Sequence, residues 1–205
     1  MAISIVPLIT DAATQALPAL SALRCRVFRD WPYLYDGNPD YEAAYLAEFA
    51  ASPNAFIVAA YDDQTIVGAA TAAPLSDHTS AFVPLFAKHG FDPETVYYLG
   101  ESVLLPEYRG RGIGHAFFDA REAQAASLRT RRGNRFETSA FCGVIRDAAD
   151  RRCPSHYRAL DPFWEKRGYK PVPGMIGNYD WQEVGADHEI PHPMQFWARG
   201  AGRFS

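Results

Sequence analysis

Between positions 109 and 114 the chain reads Arg-Gly-Arg-Gly-Ile-Gly, a glycine-spaced basic loop. Gly110, Gly112 and Gly114 have no Cβ, so the backbone there turns tightly and comes close to a ligand. A helix opening at such a loop offers unpaired N–H groups and the positive end of its dipole. Arg109 and Arg111 add charge, and the guanidinium fork suits phosphate oxygens better than an ammonium does. The stretch predicts a diphosphate cradle. Just upstream, Glu101 stands in an otherwise apolar run, where desolvation raises a carboxyl pKa and makes the side chain a candidate general base. The plainer alternative is a structural glutamate bonded to a neighbouring strand or helix end.

These groups need elements to hold them. From Tyr97 the run is apolar or aromatic apart from Gly100, Glu101 and Ser102, and Pro106 stops it, which predicts a buried strand. Beyond the loop, Ile113, Ala116, Phe117, Ala120 and Ala123 follow the three-and-four spacing of one helix face. Arg135–Val144 alternates as a further strand, and two strands joined through a helix are expected to be parallel neighbours. Toward the N-terminus, Ile3–Ile9 reads as an edge strand because Pro7 cannot donate to a ladder. A helix from about Ala12 to Arg29 tolerates Pro18 only if it begins near that residue, and Trp31-Pro32 ends it. Asp40 is the expected N-cap of a second helix running to Ala51 and stopped by Ser52-Pro53. Ala55–Tyr61 and Thr65–Ala73 have the pattern of a β-hairpin. One short helix is expected between Pro74 and Thr95, and another over Pro162–Gly168 with Asp161 as its cap. Met175–Val184 and Met194–Arg199 are the last strand candidates.

The 205 residues, 48% hydrophobic, suffice to bury a core as one domain. A net charge of −4 argues against nucleic acid as a partner. Cys25, Cys142 and Cys153 are odd in number and lack metal-type spacing, which points to reduced thiols and a cytoplasmic setting. With no basic, apolar leader pattern and no apolar run of about 18 residues, export and membrane partnership are not expected.

The order strand, Arg109–Gly114 loop, helix, strand, and then Phe163-Trp164-Glu165-Lys166-Arg167-Gly168-Tyr169 resembles the GNAT superfamily of N-acetyltransferases. The resemblance implies an α+β fold whose central mixed, mostly antiparallel sheet of six to seven strands carries helices on both faces. Its element order is strand, helix, helix, three strands, helix, strand, helix, strand, strand, as a single N-acetyltransferase-like domain over residues 1–205. It implies acetyl-CoA as co-substrate, no metal, and direct acetyl transfer to a primary amine. The pyrophosphate would rest on the amides of Arg109, Gly110, Arg111, Gly112, Ile113 and Gly114, and the pantetheine arm on the backbone of Val103, Leu104 and Leu105. Glu101 would deprotonate the acceptor ammonium. The aromatic loop between the first two helices would line the acceptor pocket with Trp31, Tyr33 and Tyr35, and Asp36 would attract a cation. The acceptor is expected to be a small-molecule amine, and a homodimer is compatible with the pattern.

The sequence departs from the family at two places. Trp164 stands where a tyrosine often donates a proton, and Tyr157, just upstream, is the candidate substitute acid; the asparagine that commonly contacts the pantetheine arm is missing. A non-catalytic acyl-CoA sensor of the same fold is therefore the rival reading. Cys142 as a nucleophile is weighed against a small buried hydrophobe, the commoner state of an isolated strand cysteine. His188-Glu189-Ile190-Pro191-His192 matches H-E-x-x-H only formally, because Pro191 and Pro193 forbid the helix that would align the imidazoles. A dinucleotide fingerprint would need glycine at His115.

Overall fold

Strand-forming stretches in the N-terminal third pair in sequence order. β1 (Ile3–Leu8) lies antiparallel to β2 (Phe56–Asp62), which turns through Asp63 into β3 (Thr65–Pro74). β4 (Val96–Leu104) adds antiparallel to β3 and parallel to β5 (Thr138–Val144), while β6 (Lys170–Gln182) and β7 (Glu189–Gly200) form an antiparallel ribbon with β7 against β5. The sheet order is β1-β2-β3-β4-β5-β7-β6, so seven strands carry a single parallel pair. This computed structural model describes residues 3–9, 11–51, 53–78 and 82–200. Pro7 sits in the edge strand β1, as its missing N–H requires.

The helices are α1 (Asp11–Phe28), α2 (Pro39–Ala51), the short α3 (Leu75–His78) and α4 (Val83–Lys88), α5 (Ile113–Ser127) and α6 (Asp161–Lys166). Alternation in β4 places Tyr97 in a cluster with Phe118 of α5 and Trp164 of α6, whereas Tyr98 packs among Phe82, Phe86 and Phe196 on the other face. A third cluster joins α1 and α2 to β1–β3, and Val58, Ala59 and Ala60 of β2 are fully buried.

Local expectations are corrected at several points. Pro18 lies inside α1; it is solvent-facing, and the buried Ala13, Ala16, Leu20 and Leu23 on either side hold the helix across the one lost hydrogen bond. Asn38, not Asp40, caps α2: its Oδ1 accepts from the Asp40 and Tyr41 amides at 2.9 and 3.2 Å, and Pro39 takes the first helical position. Ser52, expected to help end that helix, lies outside the described residues. Two short helices rather than one separate β3 from β4, and Leu160 rather than Asp161 precedes α6 without a side-chain cap. The buried face of α5 is Ile113, Phe117, Phe118, Arg121 and Ala125, rotated from the alanine-rich stripe read from sequence because the aromatic rings and a guanidinium take the inner positions.

Candidate active site

β4 leaves β5 early. Their pairing is confined to Val96 with Thr138, Tyr97 with Ser139 and Tyr98 with Ala140, although both strands run on. A bulge accompanies the parting: between the pairs Ala72–Leu99 and Ala70–Ser102, β4 takes three steps where β3 takes two. Thr71 Oγ1 fills the bulge by accepting from the Glu101 amide at 3.2 Å, and a Cβ on residue 100 would lie 2.6 Å from that oxygen, which is why Gly100 stands there. From beneath, Arg121 of α5 donates Nη1 to Glu101 O (3.1 Å) and Thr71 O (3.4 Å) and Nε to Phe117 O (3.1 Å). Burial pulls its pKa down to about 10. Past Tyr98 the β5-facing edge of β4 is thus without a neighbouring strand, a place where an extended arm finds backbone partners. Leu105 N–H is already bonded to Val67 O at 3.0 Å, whereas Leu104 turns its carbonyl the other way, toward Arg109 Nε at 3.4 Å.

The strand ends at the basic loop. Gly110 (φ 75°) and Gly112 (φ 81°) adopt the left-handed conformation, with open space where their Cβ atoms would be. Gly112 caps α5, and the first helical bond runs from Ala116 N to Gly112 O at 3.1 Å, leaving the amides of Ile113, Gly114 and His115 without an acceptor inside the helix. Gly114 is not needed for the turn; a Cβ there would make ordinary 3.5 Å contact with Phe163. Arg111 reaches back to Glu107 O at 2.9 Å with its guanidinium 5.0 Å from the Tyr108 ring centre, and both arginines are exposed. Orphan amides, open space at Gly110 and Gly112 and two cations fit a diphosphate.

Glu101 is not solitary. Its carboxylate is ion-paired with Arg24 of α1, which also grips Glu42 of α2 and lies over the rings of Phe28 (5.2 Å) and Tyr45 (4.8 Å). Glu42 is only 1% exposed, whereas the Glu101 side chain keeps 14% of its surface open. The expected apolar setting of Glu101 is therefore corrected to a charged triad of two carboxylates and one guanidinium.

The loop from Arg29 to Asn38 reaches the triad through Tyr33, whose ring lies 4.8 Å from that of Phe28 under Arg24, and it is joined to the β6–β7 hairpin. Asp36 N donates to Gln182 O (2.9 Å), Val184 N to Leu34 O (2.7 Å) and Trp181 Nε1 to Tyr33 O (3.0 Å), and Tyr35 bridges to Glu183. Arg146 fastens the same loop, donating Nε to Pro32 O (2.5 Å) and Nη2 to Tyr33 O (2.7 Å), with Nη1 on Glu183 and its plane 5.6 Å from Trp31. Burial pushes the Glu183 carboxyl up, but hydrogen bonds from Arg152, Arg146 and His192 outweigh it and hold the group at about 2. Trp31 and Tyr157 meet edge to face at 6.1 Å. Burial raises the Tyr157 phenol, and Asp161 adds to this, against the pull of Arg109. Asp36 is engaged by Arg29 at 2.5 Å, so its carboxylate is not an open cation site.

Other sequence candidates take structural positions. Trp164 packs on Phe141 (5.0 Å) and Trp197 (5.1 Å) and so closely over Gly143 that a Cβ there would come within 2.8 Å. Burial pushes the Cys142 thiol up to about 11 while Tyr98 OH lies 3.1 Å from its sulfur. His188 is an exposed partner of Asp187, whereas His192 is buried, stacked 3.5 Å from Trp181 and bonded to Glu183. Sequence reading missed Arg24, Glu42, Arg121, Arg146 and Glu183. Three of these had a signal: Arg24 stands four residues from both Leu20 and Phe28, Glu42 four from Leu46, and Arg121 four from both Phe117 and Ala125, each a charge inside an apolar helical stripe.

A sheet parted beside a bulge and leading straight to a glycine-capped helix start fits the class of acyl-CoA-dependent transferases. The sequence model described as "Acetyltransferase (GNAT) family" matches residues 21–138, more than half of the chain, and the chain belongs to that family, whose acetyl donor is acetyl-CoA. In fold it is similar to Arabidopsis thaliana NAA60 in complex with acetyl-CoA (TM-score 0.63, 13% identity, 98% of this chain and 99% of that one). It is also similar to an aminoglycoside 6'-N-acetyltransferase complexed with coenzyme A (TM-score 0.60, 21% identity, 98% and 97%). A ribosomal-protein-alanine N-acetyltransferase from Brucella melitensis aligns with TM-score 0.58 and 14% identity over 98% and 99% of the chains. No curated protein sequence matches significantly.

Proposed function

We propose that this chain transfers the acetyl group of acetyl-CoA directly to the primary amine of a small-molecule acceptor. The observation that carries the small-acceptor reading is the roof. Backbone hydrogen bonds from Asp36 N to Gln182 O and from Val184 N to Leu34 O, with the Arg146 clamp, join the two segments that would cover the acceptor side, and a cover tied down in this way supports a compact acceptor over a continuing polypeptide. Acetyl-CoA supplies an activated thioester. The amides of Ile113 and Gly114 and the side chains of Arg109 and Arg111 hold its diphosphate, and the free edge of β4 before Leu105 orients its arm. Glu101, ionised beside Arg24, takes the proton that the acceptor ammonium must lose before its nitrogen has a lone pair. As the nitrogen–acyl bond forms and the carbon–sulfur bond breaks, the Tyr157 phenol, kept protonated by burial, is the donor to the departing sulfur. Trp31, Tyr33 and Tyr35 wall the acceptor side.

The test is thiol release from acetyl-CoA across a panel of small amines and short peptides. Turnover of small amines in preference to peptides supports the proposal; tight acetyl-CoA binding with no turnover on any acceptor favours a non-catalytic sensor.

A further inference from the structure

The triad beneath the roof holds two carboxylates and one guanidinium, a net charge of minus one at the floor of the acceptor site. Around it the walls are aromatic. Tyr33 comes from the α1–α2 loop, Tyr45 from α2 and Tyr179 from β6, and they are backed by the buried Tyr98 of β4 and Phe82, which lies 6.0 Å from Tyr98 and 5.2 Å from Tyr179. Burial raises all four phenols, and Tyr98 and Tyr179 each also feel Tyr45, so these hydroxyls are neutral at working pH. The site thus offers an anion for an ammonium, rings for an apolar or cationic body, and hydroxyls that bear no charge.

Four arginines of this region are already paired. Among the described residues, Arg24 faces Glu42 and Glu101, Arg29 faces Asp36, and Arg146 and Arg152 face Glu183, with Asp150 also on Arg152. A carboxylate on the acceptor would meet the negative floor with these four guanidiniums taken, and an unpaired charge brought into a partly buried site is disfavoured. On the reading of this cleft as an acceptor site, we infer that the acceptor is a primary amine carried on an aromatic or apolar body that lacks a carboxylate, which excludes free α-amino acids.

Three probes that differ at one substituent test this: 2-phenylethylamine, phenylalaninol and phenylalanine, titrated by calorimetry into the protein saturated with CoA. The first two share the ammonium and the ring, and phenylalaninol keeps the bulk of the carboxylate without its charge. Phenylalanine should bind about tenfold more weakly than either. Equal affinity for phenylalanine and 2-phenylethylamine, or binding of none of the three, overturns the inference. Thiol release with the same compounds separates it from the catalytic reading, because ordered binding without turnover sinks acetyl transfer and leaves the acceptor class standing. As a second variable, Tyr179→Ala on the half-exposed β6 should weaken 2-phenylethylamine about fivefold and leave propylamine unchanged; an equal effect on both removes the aromatic part of the claim.

Discussion

Arg24 of α1 holds Glu101 of β4 in an ion pair and binds Glu42 of α2 with the same guanidinium. Removing it strands a carboxylate that is 1% exposed. Arg24→Met should therefore destabilise the fold by about 3–5 kcal/mol, read from urea unfolding, because an uncompensated buried charge remains. Adding Glu42→Gln to that variant should recover a large part of the loss, since the stranded charge is then gone. Purely additive destabilisation by the two changes would show that the pair is not the coupled unit described.

Glu101→Gln keeps the size of the side chain and one acceptor for Arg24 but cannot take a proton. The proposed role predicts that kcat falls about a hundredfold and that the acid limb of the kcat profile disappears. Unchanged activity and an unchanged pH profile would remove Glu101 from the base role.

Arg121 anchors the β4 bulge through the carbonyls of Glu101 and Thr71. Arg121→Met gives up these charged hydrogen bonds while also relieving the burial of a guanidinium, so the two stability effects oppose each other. The expected signature is a modest shift in Tm together with a rise of about tenfold in KM for acetyl-CoA, because the strand edge that orients the donor loses its anchor. Arg121→Lys, which keeps the charge on a single donor nitrogen, should fall between Arg121→Met and the parent.

Glu183 gives a pH prediction. A carboxylate whose folded pKa lies below its unfolded value contributes stability that is fully present above the unfolded value of about 4.3 and is lost as pH falls through about 2. This group should account for about 2–3 kcal/mol of unfolding free energy lost between about pH 5 and pH 2. Glu183→Gln should flatten that part of the stability curve, measured by denaturant titration at each pH.

Cys142 should not be a nucleophile. Its thiol is held up at about 11 by burial, so little thiolate exists at neutral pH. Cys142→Ala should keep kcat within about threefold of the parent, and mass spectrometry after mixing with acetyl-CoA alone should find no acetylated protein. A covalent acetyl adduct that the variant abolishes would reverse this.

The strand end, glycine loop and helix start proposed for the donor were legible in the sequence because they rest on local rules. Gly110 and Gly112 need positive φ, Pro106 stops a strand, and a helix starts at Ile113, all within a dozen or so residues. The acceptor side was not legible in the same way. Glu101 was visible as an odd carboxylate in a strand, but its partners Arg24 and Glu42 lie 77 and 59 residues away, and only tertiary packing brings them together. The Arg146–Glu183 clamp escaped for the same reason, since neither residue breaks a local pattern. The side-chain spacing read on α5 found Ile113 and Phe117 but joined them to Ala116, Ala120 and Ala123, while volume decided that Phe118 and Arg121 should face inward with them.

Among the described residues, the three pairs from Val96–Thr138 to Tyr98–Ala140 are the whole backbone pairing of β4 with β5. The sheet is in effect two panels meeting at a short seam: β1 to β4 with the anion loop on one, β5 to β7 with the roof hairpin on the other. In the proposed function the donor would lie on backbone of the first panel and the acceptor against much of the second, so the distance between the two reactants would be set by how the panels meet at that seam. A substitution at Ala140 or Ser139, remote from any proton transfer, would therefore act on reaction geometry as a change of angle rather than as the loss of a contact.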